Sequence, residues 1–253
     1  MKLKELHESL VYLLQENICE DDLRKVYQFF FENYDRKWKK SNEGFYMSEV
    51  MKINPIYRNQ ISDLNTLIGI DLPTLFESKA SSGKLMILAQ DPLRSAKDFE
   101  HEGKVIIGTP YALHSNFYRD GSSKLYYHIL LRLTDLFKEF YLTDVAKVYA
   151  EGSQIIGMLT KSNGENLKKV LASEINAIIP DTILAMGNIA QGALDSSEIR
   201  LIIEKNNIQI IDTPHIRAHH NAWLKAGAKG SKNENKLEYI FEKIVKTKAS
   251  NKT

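Results

Sequence analysis

The chain has one cysteine, Cys19, in 253 residues. A single thiol cannot close an intramolecular disulfide, and it excludes any zinc or iron–sulfur centre built from several thiolates. A reducing compartment is the simplest setting, so a cytoplasmic protein is expected. Long apolar stretches are missing too. No run approaches the roughly 18 residues of a membrane-spanning helix, and the segment Met1 to Glu8 puts acids and a histidine where a secretory leader needs unbroken apolar residues. No membrane partner is expected. Repeats and low-complexity blocks are absent, and 43% hydrophobic with 26% charged residues lies far from the composition of disordered chains. A dominant sign of charge is lacking as well: 34 Lys+Arg face 32 Asp+Glu, a net +2, which by itself argues against gripping a polyanion by bulk charge. The distribution is less even. From Thr213 to Thr253 nine bases face three acids, a balance of +6, while the rest of the chain carries −4. Such an end is either a nucleic-acid-facing rim or a solvated terminal helix with a lysine tail.

The length allows one large or two small domains. Residues 1–80 read as a helical extension: Leu3, Leu6, Leu10, Leu13 and Leu14 recur at helical spacing, as do Val26, Phe29, Phe30 and Tyr34, with weaker helical patterns at Met47–Ile53 and Ile61–Ile70. After Ser81-Ser82-Gly83 the texture changes. Short apolar runs at Leu85–Leu88, Phe140–Val148, Thr182–Met186 and Ile208–Ile211 alternate with helical patterns at Leu125–Phe137, Leu167–Ile179 and Ile199–Glu204, the last opened by Asp195 with Glu198 three places on. This alternation predicts, over 81–253, an α/β three-layer sandwich with a central four-stranded parallel sheet.

In such sheets the ligand crevice lies at the carboxyl ends of the strands. The first run ends in Ala89-Gln90-Asp91-Pro92, the second carries Thr143-Asp144 with Lys147 behind, the third ends in Gly187-Asn188, and the fourth in Asp212-Thr213-Pro214-His215-Ile216-Arg217-Ala218-His219-His220. Asp91-Pro92 is also a common turn and helix-start pair. Asp144 interrupts an apolar pattern, where a carboxylate needs a partner such as Lys147, a backbone donor or a ligand. His215 and His219 have a spacing that holds a metal if helical, but the Glu of the His-Glu-x-x-His motif is missing and Asp212 is the only nearby acid.

In order along the chain, these segments resemble the uracil-DNA glycosylase superfamily. Leu85 to Pro92 is similar to an apolar strand running into Gly-Gln-Asp-Pro, with Ala89 in place of the glycine. Gly108-Thr109-Pro110-Tyr111 resembles the Gly-x-Pro-Phe of the iron–sulfur branch, and Tyr141-Leu142-Thr143-Asp144-Val145-Ala146-Lys147 its Tyr-Ile-Thr-Asn-Val-Val-Lys strand. Glu174-Ile175 through Pro180 to Gly187 resembles its helix-Pro-strand-Gly element. Thr213-Pro214-His215-Ile216-Arg217 falls where the family has His-Pro-Ser-Pro and a wedge residue. The likeness covers about Lys84 to Asn221.

What the resemblance implies is a hydrolase that cleaves the N-glycosidic bond of a flipped base in DNA, with no metal or organic cofactor. Asp91 would stabilise the oxocarbenium-like state and orient water, by analogy with glycoside hydrolysis. His215, together with backbone N–H groups near Gln90, would take up charge on the departing base. Tyr111 would stack on that base, although a packed core tyrosine reads the same way. Arg217 would fill the vacated stack, with His220 beside it on the DNA-facing side. Two positions depart from the family. Its base-reading Asn is Asp144, which accepts only when ionised and so suits an exocyclic amino group, or mimics the amide when protonated. Its His is Thr213. The family's cluster cysteines are absent, so no iron–sulfur centre forms. These departures keep open a nucleic-acid-binding module that has lost the chemistry, and the histidines a metal-dependent small-molecule hydrolase. DNA, single- or double-stranded, is the expected partner of a monomer.

Overall fold

A computed structural model describes residues 1–5, 20–34, 46–48, 67–90, 105–150 and 164–250. The strands are β1 (Lys2–Lys4), β2 (Tyr46–Ser48), β3 (Leu67–Asp71), β4 (Thr74–Glu77), β5 (Lys84–Ala89), β6 (Val105–Gly108), β7 (Glu139–Asp144), β8 (Val148–Ala150), β9 (Thr182–Met186) and β10 (Gln209–Thr213). The helices are α1 (Glu20–Asn33), α2 (Asn116–Asp120), α3 (Lys124–Arg132), α4 (Gly164–Ile178), α5 (Asn188–Ala193), α6 (Ser197–Lys205), α7 (His220–Ala226) and α8 (Asn233–Ser250). Among the described residues no helix is long and apolar enough to cross a membrane.

The architecture is α/β, built on a mixed six-stranded sheet in the order β1-β4-β7-β5-β9-β10. β7 and β5 run parallel, with Leu85 beside Phe140 and Ala89 beside Asp144. β5 and β9 are parallel, as are β9 and β10. β4 lies antiparallel on β7, and β1 antiparallel on β4. The central strands are covered on both faces: every residue of β7 and β9 is buried, whereas the edge strand β10 leaves Ile210 and Asp212 exposed. The sheet thus exceeds the expected four parallel strands by two antiparallel ones, both drawn from the first eighty residues.

That stretch is therefore not uniformly helical. The pattern from Asp21 to Tyr34 does form α1, which buries Leu23, Val26 and Phe30 at helical spacing. Lys2–Lys4 is instead a strand with Leu3 inward, and the helical patterns around Met47 and Ile70 contain β2 and β3. Leu6–Leu14, Cys19, Ile53, Ile61 and Asp91 lie outside the described residues.

A second sheet, in the order β2-β6-β3-β8, adjoins the first through the chain itself. β3 passes into β4 by Leu72-Pro73, and the run expected to be one strand over Phe140–Val148 divides into β7 and β8. The division has a local cause. After Asp144 the N–H groups of Val145 and Ala146 turn to the carbonyls of Ala89 and Gln90, at 2.9 and 3.1 Å, while the Lys147 amine donates to the Asp144 carbonyl. The expected helix Leu125–Phe137 ends at Arg132, and the turn beyond it is held by buried Phe137. Ser196, not Asp195, caps α6 by accepting the Ile199 N–H; Asp195 pairs with Arg200 at 2.7 Å.

Candidate functional site

The chain steps from β5 outward to β7, then crosses back past β5 to β9. This reversal makes the carboxyl ends of β5 and β9 the switch point of the sheet, where open α/β folds hold ligands. Half-buried Gln90 follows β5 there. After β9 comes Gly187, at φ +90°, and a Cβ on it would meet the His215 Cβ at 3.1 Å. Glycine is needed for both reasons. The Gly187 N–H donates to the Thr213 carbonyl at 2.8 Å, and Gln191 Nε2 donates to the same oxygen at 3.0 Å. The Thr213 side chain is buried, and its hydroxyl has no hydrogen-bond partner among the described residues.

Above this edge sits a 3-10 turn, Pro110–Ala112, in which Tyr111 takes φ 58°, ψ 14° and Ala112 takes φ 52°. Two successive non-glycine residues in the left-handed region are strained, and such strain persists only where the surroundings over-determine it. Here they do. The His114 N–H donates to Thr109 Oγ1 at 3.3 Å, the same hydroxyl lies 2.9 Å from His114 Nδ1, and the His114 ring stacks on Phe30 of α1 at 4.4 Å. Buried Arg119 donates to the carbonyls of Leu113 (2.8 Å) and Tyr34 (2.6 Å), its guanidinium 3.8 Å from the centre of the Tyr34 ring.

The Tyr111 ring held in this way lies flat against Tyr126 of α3, with 3.5 Å between centroids and 16° between planes. The Tyr126 hydroxyl in turn lies 3.5 Å from His215 Nε2. The Arg217 N–H donates to His215 Nδ1 at 3.2 Å, which leaves Nδ1 without a proton and puts the imidazole proton on Nε2. Burial, then the charges of Arg217 and Lys236, hold the His215 pKa below its ordinary value. The imidazole is therefore neutral at physiological pH, with a donor facing inward. Burial pushes the Tyr126 phenol well above its usual range; Arg217 opposes that shift, Asp144 adds to it, and a hydrogen bond with Tyr111 lowers it.

Asp144 closes β7 beside Ala89 and is 1% exposed. The amine of Lys147, one partner expected for its carboxylate, sits 2.7 Å from Glu174 Oε2, with both side chains buried. Glu174 Oε1 also accepts from Tyr141 (2.9 Å) and Thr143 (3.0 Å).

Of the residues singled out in the sequence, Gln90, Tyr111, Asp144, Thr213 and His215 are described at or beside this edge, and Arg217 is exposed on the same loop. His220 is exposed too, with its Nδ1 directed to Ser231 Oγ at 2.9 Å. His215–His219 is not helical, so the four-residue spacing does not bring the two rings onto one helix face. Among the described residues no three His, Cys, Asp or Glu side chains gather in a metal-binding group.

Sequence reasoning missed Tyr126 and Lys236. The Lys236 amine donates to the Ile216 carbonyl at 2.6 Å from beneath the His215 loop, 5.3 Å from the centre of a Trp223 ring, and burial lowers its pKa. Tyr126 sits among Leu125, Ile129 and Leu130 on an apolar helix face, where nothing in the pattern separates it from core. Fold and site together define an α/β protein whose aromatic and polar side chains meet at the carboxyl edge of a mixed sheet. No family model matches this chain, and no curated protein matches it either.

Proposed function

We propose that this protein is a DNA-directed N-glycosyl hydrolase related to the uracil-DNA glycosylases, a cofactor-independent cytoplasmic enzyme that removes a flipped uracil or other damaged base. The fold reading that goes with it is a three-layer sandwich. The opposite senses of the β5-to-β7 and β7-to-β9 crossovers put α3 and α4 on opposite faces if both are right-handed, around the four parallel strands β7-β5-β9-β10. The observation that carries the functional reading is that Tyr111 and His215 meet on the buried Tyr126 ring, at the sheet edge where Asp144 closes β7 beside Ala89.

In this reading the bond from the base nitrogen to C1′ breaks first, and its electron pair leaves with the base. His215 donates from Nε2 to the base oxygen that gathers the charge, and a neutral imidazole does this without carrying a buried cation. Asp91, in the role the resemblance gives it, stabilises the oxocarbenium-like sugar and takes a proton from the water whose oxygen bonds to C1′. Tyr111 stacks on the base, Asp144 accepts from its edge, and Gln90 and Thr213 line the slot. Arg217 fills the gap in the stack, with His220 on the DNA-facing side.

The test is single-turnover incubation of the protein in excess with oligonucleotides carrying uracil, hypoxanthine, xanthine or alkylated bases. Alkali-labile abasic sites are expected, and Asp91→Asn should abolish them while leaving DNA affinity in place. Complete absence of abasic sites across these substrates overturns the reading. Thr213, a hydroxyl where the family has an imidazole, favours a second reading: a nucleic-acid-binding module without turnover, which would bind DNA and yield no abasic site with any of the substrates.

A further inference from the structure

Lys236 is 8% exposed, and among the described residues no carboxylate pairs with it. A buried charge without a counter-ion costs stability. What its amine holds is the carbonyl of Ile216, at 2.6 Å, with the centre of a Trp223 ring of α7 5.3 Å away. Both contacts offset part of that cost, yet the grip on the carbonyl needs only an N–H and no charge. Lys243, seven places on along the same face of α8, donates to the Asp212 carbonyl at 2.9 Å from a partly exposed position. α8 thus holds the strand-end segment at Asp212 and at Ile216, and between these grips lie Thr213 and His215. The Ala218 N–H closes a turn on the His215 carbonyl at 2.8 Å.

We propose that Lys236 is a positioning residue of this site, which presents His215 by holding the carbonyl of the next residue and whose unpaired charge keeps another cation out of the His215 position. Its part in catalysis rests on the base-excising reading of the site. Around the imidazole stand Arg217 of the same loop, Tyr126 of α3 and Lys236 of α8, while Asp144 closes β7 at the same edge. A protonated His215 would be a third cation at one short loop. Lys236 therefore favours the neutral ring, whose Nε2–H is the donor the reaction uses. Its charge also attracts the electron pair that leaves with the base.

The experiment uses the full chain with Lys236→Met, and with Lys236→Gln as a variant that keeps an N–H for the carbonyl and drops the charge. Circular dichroism shows which variants are folded. His215 is titrated by NMR through its ring Cε1–H signal, assigned by the loss of that signal in His215→Asn. In either folded variant its pKa is expected to rise above the wild-type value by about half a unit or more. With whichever of the uracil, hypoxanthine, xanthine or alkylated oligonucleotides the wild-type protein cleaves, the acid-side fall of the single-turnover rate should move to higher pH by the same amount. A lysine that only fills space would change stability and move neither reading. An unmoved His215 pKa, or an excision profile that does not follow it, overturns the proposal. The two readings fail separately. Abasic sites made by the wild-type protein, with an unmoved His215 pKa in the variants, sink this role for Lys236 and leave base excision standing. A raised pKa with no abasic site from any form keeps the hold of Lys236 on His215 and removes the enzyme.

Discussion

Lys147 Nζ lies 2.7 Å from Glu174 Oε2, and neither side chain reaches solvent. The carboxylate is on α4, behind the sheet, while the amine also holds the Asp144 carbonyl at the end of β7. A helix on one face of the sheet thereby fixes the peptide that presents Asp144 at the site.

Removing one member of this pair leaves a buried charge uncompensated. Glu174→Leu should destabilise the fold by about 3–5 kcal/mol, read as a lower urea midpoint at unchanged slope. Lys147→Met added to Glu174→Leu should cost less than the two single changes together, because the stranded amine goes with its partner. Additive losses would contradict the coupling.

His215 gives the stability a pH dependence of known sign. Its folded pKa is below its ordinary value, so the unfolded chain takes up the proton first. The stabilisation is complete above the unfolded value of about 6.5 and declines as pH falls from there through the folded pKa. Urea midpoints measured between pH 8 and pH 5 should fall on the acid side. His215→Asn should flatten that part of the curve.

Strain can be relieved where it serves nothing. Ile179 follows α4 at φ 46°, 48% exposed, with its N–H donating to Ile175 at 2.8 Å. A β-branched residue is costly in the left-handed region, where glycine sits freely. Ile179→Gly should stabilise the protein by about 1 kcal/mol, raising the Tm by about 2–4 °C, with nucleic-acid binding unchanged. Tyr111→Gly relieves the same kind of strain but removes the stacking ring, and should weaken base and DNA binding.

Arg217 is exposed, and under the proposed function its contribution to DNA binding should be that of one cation. Arg217→Ala is expected to flatten the slope of log affinity against log salt by about 0.7–0.9. An unchanged slope would place Arg217 away from the phosphates.

The central parallel strands were legible because strands covered on both faces carry nearly continuous apolar runs: Leu85–Leu88 and Ile183–Met186 lie within β5 and β9. β1 and β4 were not. Each has three or four residues, too few to separate a period of 2 from one of 3.6, and β4 follows directly on Pro73. The strand-end positions Gln90, Asp144 and Thr213 could be found from the sequence alone, since a topology rule locates them. Tyr126 could not, because on a helix its hydroxyl changes nothing in the apolar stripe. Glu174 hid in the same way between buried Leu171 and Ile175, and no spacing rule connects it to Lys147.

Arg119 has a consequence for how this protein could be rearranged. One guanidinium N–H holds the loop just past Tyr111, and another holds the carbonyl of Tyr34 at the end of α1. The turn that bears the stacking tyrosine thus takes its shape partly from a segment some eighty residues earlier. A chimera that exchanged α1 for a helix of equal length, without an acceptor for Arg119 and a ring for His114, would inherit every strand-end motif and still lose the geometry that makes them a site.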